Sequence, residues 1–159
     1  MGPPHPPRVA VLGIGQELCG DDAAGVIVAR ALLPEVAGYP DFLVLDTGPA
    51  PENFSGSLRR FKPDLVIMVD AAQMEMDPGA VRVLDWQEMD GISFSTHTLP
   101  LSIFARYLVD EFDCTVALIG IQPASNVPGE KLSVPVKNAV VSLVHAFSTL
   151  LKPVKGSSW

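Results

Sequence analysis

Cationic side chains are in short supply: 11 Lys and Arg stand against 18 Asp and Glu in 159 residues, a formal net charge of −7. A chain so charged is a poor default partner for nucleic acid or an anionic membrane, and a basic peptide or a metal cation suits it better. Cysteine is scarce too. Cys19 and Cys114 make no CxxC pair, and two cysteines do not build a disulfide scaffold. Cys114 reads as a buried thiol at a strand edge, and Cys19, in a glycine-rich loop, as a weak candidate ligand. No apolar run approaches the roughly 20 residues of a membrane span. Met1–Pro7, MGPPHPP, lacks the basic segment and apolar stretch of a signal peptide, so a cytoplasmic location is expected. Two catalytic signatures are absent as well. There is no HExxH and no GxSxG, and nothing designates Ser93, Ser95 or Ser102 as an activated nucleophile.

What is present is a 48% apolar chain of a length that suits one domain with a substantial core. Short apolar runs alternate with helical stretches. Strands are expected at Arg8–Leu12, Phe42–Leu45, Leu65–Val69, Val81–Leu84 and Thr115–Ile121. Helices are expected from Ala23 to about Leu33, from Pro100 to about Phe112 and over Val134–Leu151, with a short helix or two in Pro51–Phe61. The last long helix carries an apolar stripe at Val136, Val140, Leu143, Val144, Phe147 and Leu151. The pattern is α/β: a single three-layer α/β/α domain over residues 8–152 with a mostly parallel, five-stranded twisted sheet. Residues 1–7 are expected to be a disordered tail and 153–159 a loose one.

The chain is organised around Val9–Gly25, VAVLGIGQELCGDDAAG, which reads as strand, glycine loop and helix start. Such loops usually hold phosphate, because backbone N–H groups and the helix dipole attract anions. This one carries Glu17, Asp21 and Asp22. Gly13-Ile14-Gly15 begins like GxGxxG, but Leu18 stands at the third glycine; Gly15 and Gly20 have P-loop spacing, but Asp21 stands where the lysine belongs. Asp46, after the second strand, could mimic a ribose-binding acid. Phosphates beside these carboxylates would repel, so the charge fits a cation instead.

Asp21 or Asp22 could equally cap a helix, Asp70 could be an ordinary strand end, and His97 an ordinary loop histidine. Their combination is more specific. In parallel sheets ligands sit outside the carboxyl ends of the strands. Asp21 and Asp22 follow the first strand, Asp70 the third, and His97 precedes a helix, so all could meet in one crevice. Two carboxylates and an imidazole form a nitrogen–oxygen metal site with open positions, suited to Ni, Zn, Fe or Mn. Asp22 and Asp70 could instead share a proton as a catalytic pair. Polar loops at Gly91–Thr96 and Ala124–Ser133 are candidates for holding a substrate chain.

GIGQELCGDDAAG resembles the opening motif of the hydrogenase maturation proteases, the endopeptidases that trim the large subunit of NiFe hydrogenases. Ala50–Asn53 (APEN), Val69–Ala71 (VDA), Asp77–Val83 (DPGAVRV), Ser95–Leu101 (STHTLPL) and Gly120–Pro123 (GIQP) match further family motifs in order. The set is most similar to the branch serving the hydrogenase of formate hydrogenlyase complexes. The resemblance implies a peptidase that removes a C-terminal extension from a nickel-loaded large-subunit precursor, with nickel as the recognition signal. It places the nickel contacts on Asp22, Asp70 and His97, with Asp22 and Asp70 catalytic, and gives Asp21 a supporting role. Nickel would arrive with the substrate, and zinc or another divalent ion could substitute in vitro. Either the metal polarises the carbonyl or activates water, or a carboxylate acts as general base. A monomer is expected. A non-cleaving, nickel-dependent chaperone or checkpoint is the first alternative, and a Rossmann-like nucleotide module the second.

Two positions depart from the family pattern. Gln16 stands at the usual Asn, which tolerates left-handed backbone better than Gln. Ala23 stands at the usual Gly; Ala is costly there if φ is positive and favourable if the residue is helical.

Overall fold

A computed structural model describes residues 5–96 and 99–156, with side chains described through residue 150. The chain alternates β1 (Val9–Ile14), α1 (Ala24–Val36), β2 (Phe42–Gly48), α2 (Ser55–Phe61), β3 (Leu65–Gln73), β4 (Val81–Asp85), β5 (Ser93–Phe94), α3 (Leu101–Phe112), β6 (Thr115–Ile121) and α4 (Val134–Gly156). Five strands run in the order β2-β1-β3-β6-β4. The first four are mutually parallel, and β4 closes the edge antiparallel to β6. Arg82 on that edge strand is exposed and pairs with Glu88. A sixth strand, the two-residue β5, pairs antiparallel with Ala72 and Gln73 of β3.

Alternation along each strand builds two cores. Leu12, Met68 and Leu118 face Leu58 of α2 and Phe104 and Leu108 of α3. Val11, Val69 and Ile119 face Val28 and Leu32 of α1 and Val136 and Val140 of α4. A parallel strand covered on both faces must be apolar on both, which is why β3 reads as an unbroken run. This is the expected three-layer arrangement.

The boundaries differ in physically informative ways. Strand β3 continues past Asp70 to Gln73, because Ala71 and Ala72 pair onward with β6 and β5. Helix α1 carries Pro34 in its last turn and ends at Val36; Gly38, at φ 88°, then reverses the chain. Helix α4 runs past Leu151 to Gly156. Among the described residues no helix is long and apolar enough to cross a membrane.

From β1 the chain moves through α1 to β2 on one side, and the next connection returns to β3 on the other. The sheet therefore has a topological switch between β1 and β3, where a crevice opens at the carboxyl ends.

Candidate functional site

The loop after β1 is folded by its own backbone. Gly15 N–H donates to Gly48 O at 3.1 Å, and Gln16 N–H donates to Asp22 O at 3.0 Å. A Cβ at Gly15 would lie 2.2 Å from Asp22 O, so the close approach requires glycine. The loop enters a 3-10 turn, Gly20–Ala23, that leads directly into α1. Gly13 and Gly25 serve helix–strand contact: a Cβ on Gly25 would lie 2.1 Å from Val69 O and 2.3 Å from Ile14 O. The left-handed positions are Leu18 (φ 73°) and Gly20 (φ 57°), and Gln16 is not among them. Ala23 has φ −82° and ψ −6°, a helical conformation in which alanine is well suited.

Adjacent Asp21 and Asp22 are put to different uses. Asp21 is fully buried. Its carboxylate accepts from Ala124 N (2.8 Å), Ser125 N (3.1 Å), Ser133 N (2.7 Å) and the Ser133 hydroxyl (2.9 Å). Burial is the largest single influence on Asp21 and pushes its pKa up, but the bonds from Ser133, Ser125 and Ala124 together hold it below the ordinary carboxylate value. Asp21 thus ties the 124–133 loop to the glycine loop. Its neighbour Asp22 is only half-buried and lies close enough for its charge to act on Asp70.

Asp70 is fully buried on β3. It accepts from the Ser95 N–H at 3.2 Å and from the Ser95 hydroxyl in a short bond. Burial pushes its pKa well above the usual range, the Ser95 bonds oppose this, and the nearby Asp22 charge pushes it up further. Such an arrangement holds a proton on the pair or waits for a cation to offset the charge. Ser95 has no local signature marking it as a partner. The β5 pairing sets it beside Asp70, and the STH motif is its sole trace in the sequence.

His97 and Thr98 lie outside the described residues. Among the described residues, no group of three His, Cys, Asp or Glu is gathered for a metal. Asp22 and Asp70 are nonetheless a coupled pair of hard oxygen donors, which is the chemistry a divalent cation needs. A cleft of about 370 Å³ is lined by Asp90, Gly91, Ser93, Thr96 and Ser102 among others, on the segment that carries Ser95, and neither Asp22 nor Asp70 lines it.

Other candidate groups are engaged elsewhere. Arg30 donates two bonds to Glu17, at 2.8 and 2.9 Å, and one to Asp46 at 2.8 Å. Asp46 also accepts from Gly48 N, which leaves it poorly placed as a ribose acceptor. Cys19 is a half-buried free thiol preceding the 3-10 turn. Cys114 is buried, and burial pushes its pKa up. Gln122 is buried, accepts from Met74 N and Met76 N, and donates to Gln73. It fixes the connection from β3 to β4.

Comparison with known proteins agrees with this architecture. The hydrogenase maturation protease family model matches residues 26–149. The hydrogenase 3 maturation protease of Escherichia coli K12 is 31% identical over 131 residues, covering 82% of each chain. The crystal structure of a NiFe hydrogenase maturation protease from Thermococcus kodakarensis superposes with a TM-score of 0.83 at 38% identity, covering 91% of this chain and 92% of that one. The solution structure of an E. coli endopeptidase superposes at 0.69 with 30% identity, covering 86% of each.

Proposed function

Because the chain belongs to the hydrogenase maturation protease family, we propose that it removes the C-terminal extension of a nickel-loaded NiFe hydrogenase large-subunit precursor. One observation carries the reading to particular residues. Asp70, fully buried and raised in pKa by burial and by the Asp22 charge, sits at the topological switch of the sheet. A carboxylate pair kept at that cost, with no cationic partner for Asp70 among the described residues, suits a reaction in which positive charge or a proton arrives with the substrate.

In this reading Asp22 and Asp70 contact the precursor's nickel together with His97. The ion would supply charge that favours the loaded precursor over the empty one, and each contact is worth ~1–3 kcal/mol. Zinc or another divalent ion could occupy the same donors in vitro. The remaining work falls to the chain itself. Half-buried Asp22 is the more accessible carboxylate and the better general base toward water. Asp70, held by Ser95, keeps its orientation while its protonation changes. The 124–133 loop, tethered through Asp21, and the 91–96 segment flank the crevice and guide the precursor chain. The setting of this reaction is the cytoplasm, with the protein acting as a monomer.

The test is C-terminal processing of loaded precursor, read by intact mass, for the wild type and for Asp22→Asn, Asp70→Asn and His97→Ala. Loss of at least ~100-fold in rate is expected for each carboxylate variant. Full activity in all three would refute the assignment.

A further inference from the structure

Leu18 stands in the left-handed region of the backbone, at φ 73°, with its side chain 76% exposed. Left-handed backbone crowds a Cβ, so Gly or Asn fills such positions at least cost. A leucine this exposed adds nothing to the core in return. Its conformation is firmly held all the same. Leu18 O accepts from Gly129 N at 2.7 Å, and Gly20 N donates to Glu130 O at 3.2 Å. The glycine loop and the 124–133 loop are thus joined on either side of Cys19, and the leucine is presented outward.

Leu18 borders an apolar groove of about 700 Å³ between α1 and α4. The walls include Val26 and Ile27 of α1, Leu132 of the loop, and Val141 and Val144 of α4. Val141 is 60% exposed. Single exposed apolar residues are ordinary, but a contiguous apolar groove with a polar rim marks a docking surface. This one reaches the site described above: Gly20 and Ala23 both line it, and Asp21 and Asp22 lie between them in the same 3-10 turn. The rim charges are unequal in availability. Glu17 and Arg30 pair with each other, and Glu130 accepts from the Ser125 hydroxyl. Lys131 and Lys137, also on the rim, are exposed and enter no ion pair among the described residues. In a chain of net charge −7, two free ammonium groups beside an apolar wall favour an occupant that carries a carboxylate.

We infer that this groove docks the hydrogenase large-subunit precursor, seating an apolar side chain of the segment that enters the crevice against Leu18 and Val141, with an acidic residue of that segment against Lys131 and Lys137. The inference rests on the processing reading above, whose crevice the groove adjoins.

Wild type, Leu18→Asn and Val141→Glu decide it, each assayed for binding of nickel-loaded precursor, for its processing by intact mass and for thermal unfolding. Both substitutions are expected to raise Kd and KM at least about tenfold with kcat little changed. Tm should hold or rise in Leu18→Asn, because Asn suits left-handed backbone. It should hold in Val141→Glu, because the position is exposed and the new carboxylate lies one helical turn from Lys137. An unchanged Kd in either variant overturns the inference, as does a Tm that falls in step with activity. If KM stays unchanged while a concentration-dependent dimer of the wild type is lost in the variants, the groove seats a second copy and the inference is overturned too. A wild type that binds the precursor but leaves its mass unchanged overturns the processing reading instead, and the Kd values still decide the docking.

Discussion

Replacing Asp21 by Ala tests the division of labour between the adjacent carboxylates. The substitution strands four donors: Ala124 N, Ser125 N, Ser133 N and the Ser133 hydroxyl. Hydrogen bonds to a charged group contribute ~1.5–3 kcal/mol each, but they share one carboxylate whose own burial opposes them. A net loss of about 2–4 kcal/mol follows, which is roughly 4–15 °C in Tm for a chain of this size. The loss should be pH-dependent in a definite sense. Asp21 is held below its ordinary value of 3.8, so its stabilisation is complete above that value and fades as pH falls through the depressed one. Thermal unfolding followed by circular dichroism at several pH values provides the readout. The gap between wild type and Asp21→Ala should be level at neutral pH and narrow in acid. Asp22→Asn, at a half-buried position, should move Tm by no more than about 2 °C. Equal damage from the two substitutions, or none from Asp21→Ala, would refute the reasoning.

The Asp70 carboxyl has the opposite sign. Its folded pKa is raised, so its contribution is most favourable below 3.8 and is lost as pH rises toward the folded value. Across that window the wild type should lose up to about 1.4 kcal/mol per pH unit relative to Asp70→Asn, measured by chemical denaturation. A wild type that gains on the variant as pH rises would contradict the burial argument. At the crossing of α1 with the sheet, Gly25→Ala should cost at least ~2 kcal/mol in the same assay, because its Cβ meets two backbone carbonyls that cannot give way.

The layers were legible because strands covered on both faces must be apolar throughout and helices must carry a stripe. The run at β3 and the stripe on α4 show both, down to buried Val136 and Val140. Short-range pattern has no grip on β5, whose two residues are a strand only because Ala72 and Gln73 pair with them. The same limit hid the role of Asp21. A helix cap was the local reading, but its partners lie more than 100 positions along the chain, and no periodicity encodes that distance. Asp70 was legible as a group at the sheet's carboxyl edge but was misplaced at a strand end. A charged residue looks like a terminus until Ser95 is known to bond it inside the strand. Gln16 and Ala23, the two departures from the family pattern, prove compatible with the backbone, which places its left-handed turns at Leu18 and Gly20 instead.

The most direct test of the central claim is the intact mass of the hydrogenase large-subunit precursor after incubation with the wild-type protein, with and without nickel loaded. Loss of the C-terminal extension from the loaded precursor alone is the expected result. Equal trimming of the empty precursor, or no trimming of either, would contradict it.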